Sequence, residues 1–362
     1  MRPYISETKH MEATTTPLRV GIIGTGRPWR TDGATGFGMS HWHAVGYENA
    51  GNCTIVALAD LNEENAKAYQ AEHGGDRIYS DYKAMLAEEN LDAVSVCTWP
   101  GLHTDMVVAA AEAGVKAIHC EKPMAPSLAD ARRMVEACEQ HGAQLALNHQ
   151  RRFGDRFRQA KSLLKDGAIG DLIRLEGSCG NMFDWGTHWF DMFFFYNDET
   201  PAEWVLGAVD WRDGSSVFGA VHEGQGLSHV KFRNGVHGLM VTGHEAGWEA
   251  ANRLIGTKGT IEVNVEGGAA LRIWADGQTT WREIETDAGR GDLDLTALGV
   301  ADAIDALRTG REPELSGRRA LAATELIFAT YESSNRRARV ELPLATTELD
   351  LTKLTLVTSG VE

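Results

Sequence analysis

Apolar and polar positions follow different patterns in the two halves of the chain. In the first half, short apolar runs have the length of buried strands: residues 18–24, 54–60, 91–98, 116–120 and 144–148. Between them, residues 62–73, 103–113 and 127–141 have the periodicity of amphipathic helices. Strands that alternate with helices of this length predict a parallel, doubly wound α/β sheet.

After about residue 148, strands follow one another without intervening helices. Runs of β type at 228–232, 237–242, 260–265 and 270–275 predict an open, mostly antiparallel sheet in an α+β domain. Residues 294–308 and 318–336 have helical periodicity. We therefore divide the chain into a tail (1–17), an α/β domain (18–148), an α+β domain (149–345) and an extension (346–362). The helices near 294–336 are expected to pack back on the first domain.

Composition excludes two classes of partner. The 362 residues carry a formal net charge of −16, and no basic stripe offsets it, so we expect no nucleic-acid binding. No apolar run approaches the roughly 20 residues of a membrane span, and residues 1–17 lack the apolar core of a secretory signal. Five cysteines without CxxC spacing indicate neither a disulfide framework nor a metal site, so we expect a cytoplasmic protein.

A glycine-rich turn closes the first apolar run. Gly24 and Gly26 occupy the first two positions of a dinucleotide-binding turn, where glycine lets the backbone approach a pyrophosphate. Residues 27–37 read as an insertion, after which a helix is expected to begin near Gly38. Such a turn also occurs as a plain β-turn. Asp60 ends the second strand, where an acid can bind the ribose hydroxyls, and no arginine follows it, which favours NAD over NADP. Its alternative role is to cap the next helix.

Lys122 follows the apolar run 116–120 directly. Ligands bind at the C-terminal ends of strands in open α/β sheets, so this lysine can stabilise a developing alkoxide on a substrate. Pro123 fixes the local backbone and permits a cis peptide bond. A solvated surface lysine is the other interpretation.

Asp184 and His188 are four residues apart and would share one face of a helix. His188 can take or return a hydroxyl proton, while Asp184 can orient it or pair with Lys122. Asp191 is the rival acid in this segment. Several aromatic residues around the pair predict a partly buried setting, although Asp–His pairs at this spacing also occur as surface contacts.

Together, these motifs resemble the Gfo/Idh/MocA oxidoreductases. The resemblance rests on residues 18–26, Asp60, residues 98–103, Glu121-Lys122-Pro123 and the Asp184-x-Gly-x-His188 motif, and it continues to about residue 343. It implies a nicotinamide-binding Rossmann domain and a second domain whose open sheet builds homodimers or homotetramers. It also implies Lys122, Asp184 and His188 as the catalytic group acting on sugars, cyclitols or related polyols. The residues implied to lie near the cofactor are Trp99, His103 and Glu121.

The substrate itself is not legible in the sequence. Trp185 can stack on a sugar ring, or it can be a core aromatic residue. Two basic clusters offer recognition of an anionic substituent, or ion pairs with acids or the pyrophosphate: Arg30 with Arg27, and His149 with Arg151 and Arg152.

Three functions are compatible with these residues. The leading hypothesis is an NAD-dependent dehydrogenase of a sugar or polyol. The second is an NAD-dependent glycoside hydrolase that oxidises its substrate transiently, with no net redox change, and the insertion at 27–37 is its motivation. The third is a non-catalytic dinucleotide-binding sensor, against which the intact lysine–aspartate–histidine set argues.

Overall fold

The computed structural model describes residues 16–27, 38–243, 250–287, 291, 294–345 and 347–356. Within these ranges, no helix combines the length and apolar character needed to cross a lipid bilayer.

The first domain is built on a six-stranded parallel sheet. Its strands are β1 (Leu18–Ile23), β2 (Cys53–Ala59), β3 (Arg77–Tyr79), β4 (Ala93–Val96), β5 (Ala117–Cys120) and β6 (Gln144–Leu147). They lie in the order β3-β2-β1-β4-β5-β6, so the order in which successive strands are added to the sheet reverses between β1 and β4, while all strands stay parallel. This is the Rossmann order, and it confirms the predicted fold class. Ligands bind at this reversal, beside the ends of β1 and β4.

Helices cover both faces of this sheet. They are α1 (Met39–Ala50), α2 (Glu63–His73), α3 (Tyr82–Glu88), α4 (Pro100–Glu112) and α5 (Leu128–His141). Val20 and Ile22 of β1 share a core with α1 and α2, whereas Ile23 belongs to the core formed with α3, α4 and α5. Ser127 is the N-cap of α5, because its hydroxyl accepts from the backbone N–H of Asp130.

The second domain contains a nine-stranded sheet. Its strands are β7 (Leu172–Cys179), β8 (Ala202–Asp210), β11 (Gln225–Phe232), β12 (His237–Gly243), β13 (Ala250–Gly256), β14 (Gly259–Val265), β15 (Leu271–Ala275), β16 (Arg282–Glu283) and β17 (Val340–Glu341), and a separate hairpin pairs β9 (Ser215–Val217) with β10 (Ala220–His222). Only the β7–β12 pair of the large sheet is parallel among the described strands. The predicted open, mostly antiparallel sheet is confirmed.

The remaining helices bury one face of the second sheet and join the two domains. They are a 3-10 turn (Gln150–Phe153), α6 (Asp155–Lys165), α7 (Gly186–Tyr196), α8 (Asp294–Thr309) and α9 (Gly317–Arg336). Every residue of α7 is buried, so this helix lies wholly within the protein. Val300 and Ile304 of α8 pack in the core of the first sheet. The two domains therefore share packed elements, and residues at their junction have fixed positions.

Candidate active site

The glycine turn after β1 requires glycine at its first position. Gly24 has φ +83°, and a Cβ there would lie 2.9 Å from the carbonyl oxygen of Cys97. A side chain would be strained by its backbone conformation and would also clash with the end of β4. The turn therefore brings bare backbone to the reversal point of the sheet.

Helix α1 begins beside this turn, although residues 27–37 separate the two in sequence. A Cβ on Gly26 would lie 3.5 Å from the Cα of Gly38, and Gly38 is the residue that precedes α1. Both glycines have positive φ, +67° and +62°. The predicted helix start near Gly38 is confirmed, and its N-terminal amides lie where a pyrophosphate is bound in such turns. Residues 28–37, including the candidate Arg30, lie outside the described residues.

Asp60 organises the glycine turn from the end of β2. One carboxylate oxygen accepts from the backbone N–H groups of Thr25 and Gly26, at 2.8 and 3.1 Å, and from the Thr25 hydroxyl at 2.8 Å. Asn62, and not Asp60, caps α2, because its side chain accepts from two backbone amides of the first turn. The glycine cradle, the helix N-terminus and this carboxylate fit a dinucleotide.

The segment 98–103 lies at the next strand end. Trp99 precedes α4, and 56% of its surface is exposed. His103 is buried, with Nδ1 3.1 Å from the Pro123 carbonyl and Nε2 3.0 Å from the Thr98 carbonyl. Burial lowers the pKa of His103. Its polar atoms thus tie the end of β4 to the loop that carries Lys122.

Lys122 reaches from the end of β5 to the second domain. Its Nζ donates to Asp184 Oδ1 at 2.7 Å and to the Asp184 carbonyl at 3.3 Å. About a fifth of the lysine side chain is exposed. The Lys122–Pro123 peptide bond is cis. Of the two roles considered for Asp184, the structure shows pairing with Lys122.

Glu121 anchors the start of the same loop in the protein interior. Its Oε1 lies 3.0 Å from Nε2 of His43 and accepts from Nδ2 of Asn148 at 2.8 Å. His43 in turn contacts the hydroxyl of Ser95 at 2.8 Å. Burial opposes ionisation of Glu121, but His43, Lys122 and Asn148 outweigh it and lower its pKa. Glu121 therefore fixes the backbone that precedes Lys122.

His188 lies in the first turn of α7 and is only 3% exposed. Burial lowers its pKa well below the usual range, and the charges of Arg151, Lys122 and His149 lower it further. Among the described residues, its Nδ1 has no hydrogen-bond partner. A neutral imidazole beside a lysine is suited to accept a proton from a bound hydroxyl group.

Arg151 and Trp185 form the wall next to His188. The guanidinium of Arg151 lies 4.1 Å from the ring centroid of Trp189 and 5.8 Å from that of Trp185. Lys122 Nζ lies 5.6 Å from the same Trp185 ring, which is 48% exposed. A cation and an exposed indole therefore lie beside the acid–base group.

Arg152 does not face this wall, contrary to the expectation that it binds substrate. It is fully buried, and it donates to both carboxylate oxygens of Asp191 at 2.8 and 2.9 Å. It also pairs with Glu199 and Glu314. Burial opposes ionisation of Asp191, but Arg152 and His149 outweigh it and hold its pKa well below the usual range. Arg152 and Asp191 are both engaged in a buried ion-pair cluster. Asp191 is therefore a weaker candidate than Asp184 for the catalytic carboxylate.

His149 connects this cluster to the acid–base group. Its Nε2 lies 2.9 Å from the hydroxyl of Thr187, its Nδ1 lies 3.5 Å from Asp191, and its ring centroid is 5.6 Å from that of His188. The imidazole of His149 therefore packs against His188 from within the protein.

Residues not identified from the sequence hold the loop before α7. Glu223 is buried and accepts from the Met182 amide at 2.7 Å, the Thr242 hydroxyl at 2.6 Å and the Tyr331 hydroxyl at 2.8 Å. Asn181 accepts from the Asp184 amide at 2.7 Å. Glu223 follows a short hairpin with no motif, and only its burial in the fold reveals it. Asn148, by contrast, follows β6 directly, so the strand-end rule could have marked it.

Comparisons with known proteins agree with this geometry. Residues 18–149 match the family model described as an oxidoreductase family with an NAD-binding Rossmann fold. D-apiose dehydrogenase of Paraburkholderia graminis is 29% identical over 92% of this chain and 93% of its own length. Myo-inositol 2-dehydrogenase of Thermotoga maritima is 25% identical over 90% of this chain and 98% of its own length.

A solved structure shows the same fold over nearly the whole chain. Levoglucosan dehydrogenase, in complex with NADH and levoglucosan, superposes with a TM-score of 0.74 at 19% identity and covers 91% of this chain and 100% of its own. The two-domain fold of this chain is thus that of this solved structure.

Proposed function

Because the chain belongs to the Gfo/Idh/MocA family of oxidoreductases, we propose that it oxidises a hydroxyl carbon of a sugar or polyol with NAD. The observation that carries the proposal is the meeting of Lys122 from the first domain with Asp184, four residues before the buried His188. A cation, its carboxylate partner and a neutral imidazole lie at the domain junction, beside a cradle that fits a dinucleotide.

Each of these side chains has a distinct part in the reaction. Bound NAD supplies the acceptor for the hydride that leaves the carbon. His188 takes the proton of the substrate hydroxyl, and Lys122 stabilises the negative charge that develops on the oxygen as the C=O bond forms. Asp184 holds the lysine ammonium in place through the 2.7 Å ion pair. In the reverse direction, His188 returns the proton to the alkoxide oxygen.

NAD is preferred over NADP in this proposal because of Asp60. Its carboxylate is fixed at the glycine turn, and a negative charge there repels the 2′-phosphate of NADP. Leu61, which follows it, is 92% exposed and offers no cation.

The substrate is proposed to carry an anionic substituent, such as a carboxylate. Arg151 supports this, because its guanidinium lies between Trp185 and Trp189 on the His188 side of the site. Turnover should be compared on acidic and neutral sugars of the same configuration, with the wild type and Arg151→Met. The acidic sugar should be favoured only by the wild type. Equal rates on both sugars in the wild type would overturn the proposal.

Substitution of Lys122 tests the catalytic assignment. Lys122→Met should lower kcat by about 10²–10³-fold, as loss of an oxyanion partner does, while the Kd for NAD stays within about twofold. Lys116→Met, at the opposite and exposed end of β5, is the matched control and should be fully active. A fully active Lys122→Met protein would overturn the assignment.

The described residues give the two other hypotheses no support beyond what they give the dehydrogenase. The hydrolase would use the same side chains, and the insertion that motivated it lies largely in residues 28–37, outside the described residues. A sensor has no need for the ion pair between Lys122 and Asp184.

We further propose a homodimer or homotetramer that uses the open face of the second sheet. Helices α6, α7 and α9 pack on the other face, and Leu206 and Leu227 are about half exposed on paired strands of the open one. Light scattering should show a smaller particle for Leu227→Asp and no change for Leu356→Asp, a control at another exposed leucine. A monomeric wild-type protein would contradict this.

A further inference from the structure

Three side chains with metal-ligating atoms meet behind the glycine turn. His41 belongs to the first turn of α1, and Glu72 and His73 are at the end of α2. The ligating atoms of all three lie within 4.8 Å of one another. His41 is 2% exposed, whereas Glu72 is about half exposed, so the group has a buried side and an opening to solvent.

The contacts of His41 define which of its nitrogens can bind a cation. Its Nε2 lies 3.0 Å from the carbonyl oxygen of Arg27. A carbonyl oxygen only accepts, so Nε2 carries the proton and the lone pair of the neutral ring is on Nδ1. This is the arrangement of metal-bound histidines, in which the second nitrogen donates to a backbone carbonyl and fixes the tautomer.

The Nδ1 atom of His41 lies close to the other two ligands. Nδ1 lies 2.7 Å from His73 Nε2 and 3.8 Å from Glu72 Oε2. Two ligands bound tetrahedrally at 2.0–2.1 Å from a zinc ion lie roughly 3.3 Å apart. The distance from His41 to His73 is therefore about half an ångström too short, and the distance from His41 to Glu72 is about half an ångström too long. Small side-chain rotations bring both to the required value.

Tyr69 holds both imidazoles in position. Its ring centroid is 4.9 Å from that of His41 and 4.7 Å from that of His73, and its hydroxyl donates to the Ser40 carbonyl at 3.0 Å. The two rings are thus packed against one fully buried side chain. Their orientation is set by the fold before any cation binds.

We propose that His41, Glu72 and His73 form a binding site for a divalent transition-metal cation of the zinc type. Two imidazoles and one carboxylate suit Zn²⁺, Co²⁺ or Ni²⁺, whereas Mg²⁺ and Ca²⁺ prefer oxygen ligands alone. Water completes the coordination from the exposed side. The cation joins α1 to the end of α2, and the Arg27 carbonyl links it to the glycine turn. The site is independent of the proposed dehydrogenase activity.

Cobalt binding to the full-length protein tests this site. The protein is treated with a chelator, dialysed and titrated with Co²⁺ while the visible absorption of the coordinated ion is recorded. One equivalent should bind. His73→Gln and Glu72→Gln should each weaken binding by about tenfold or more, and thermal unfolding confirms that each variant is folded.

Two control variants separate this site from other histidines and acids. Glu64→Gln removes an exposed acid from the same helix, and His237→Gln removes one partner of the 2.7 Å pair between His229 and His237. Both should bind Co²⁺ as the wild type does. Absence of any cobalt absorption in the wild type would overturn the proposal. Binding of Co²⁺ that survives in folded His73→Gln and Glu72→Gln would also overturn it, and so would loss of binding in His237→Gln.

Discussion

Replacement of Arg152 by methionine separates a structural role from a substrate-binding one. Methionine keeps most of the apolar stem and removes the charge. Asp191 then loses donors at 2.8 and 2.9 Å and keeps only the longer contact with His149 at 3.5 Å, while 2% of its side chain is exposed. Removal of one partner of a buried ion pair costs about 3–5 kcal/mol. Glu199 and Glu314 are about one-third exposed and can be hydrated, so most of the cost arises at Asp191.

Urea unfolding measures this cost. With an m value of about 3 kcal/mol per molar urea, a loss of 3–5 kcal/mol lowers the midpoint by roughly 1–1.7 M. Arg152→Lys keeps the charge but not the two parallel hydrogen bonds. Its urea midpoint should therefore lie between those of the wild type and Arg152→Met. Arg152→Met combined with Asp191→Leu should recover part of the loss, because no buried charge remains.

The dependence of this cost on pH has a definite sign. The folded-state pKa of Asp191 lies below its usual 3.8, so its ion pair contributes stability above that value and loses it as pH falls through the folded pKa. In Arg152→Met, burial without the cation raises the pKa of Asp191, and acid protonates it. The stability difference between wild type and variant should therefore shrink from pH 7 to about pH 4. An unchanged urea midpoint together with a raised KM for the substrate would refute the structural role.

Three further substitutions test the site. Arg151→Gln removes a cation that lowers the pKa of His188, so the acid limb of kcat/KM for oxidation should move to higher pH. Arg151→Lys is the control, because it keeps the charge. Superimposable pH profiles of the wild type and Arg151→Gln would contradict the role of His188 as base. Asp60→Ala removes three hydrogen bonds from the glycine turn and should raise the Kd for NAD by about tenfold or more. The Kd for NADP should rise less. An equal loss of affinity for both cofactors would argue against cofactor discrimination by this carboxylate. Glu223→Ala removes the acceptor of the Met182 amide, so kcat should fall while NAD affinity is retained. An unchanged kcat would show that the loop keeps its position without this carboxylate.

The strand–helix alternation of the first domain was predictable because each buried strand is short, apolar and bounded by turn residues. The exception is β3, whose three residues include an exposed arginine and whose pairing depends on β2 alongside it. Strand β13 was missed for a related reason. Asn252 shares the buried face of this strand with Leu254, so a polar residue occurs where an apolar residue would signal a strand.

The site was predictable where chemistry follows strand ends and motifs, and not where it depends on packing. Asp60 follows β2 directly and Lys122 lies two residues after the end of β5, and the structure brings Lys122 to Asp184, 62 residues away. Arg151 and Arg152 are adjacent in sequence and equally basic. Only the fold directs one towards two indole rings and the other into a cluster of carboxylates. Side-chain direction in a short 3-10 turn cannot be read from residue type.

The most direct test of the proposed dehydrogenase activity is the ratio of NADH formed to oxidised product formed. The purified protein is incubated with NAD and a panel of sugars, polyols and their glycosides, including acidic members, while reduced cofactor and products are quantified together. We predict one NADH for each carbonyl product formed, with none from Lys122→Met. Release of an aglycone without accumulation of NADH would contradict it, as would the absence of oxidation across the whole panel.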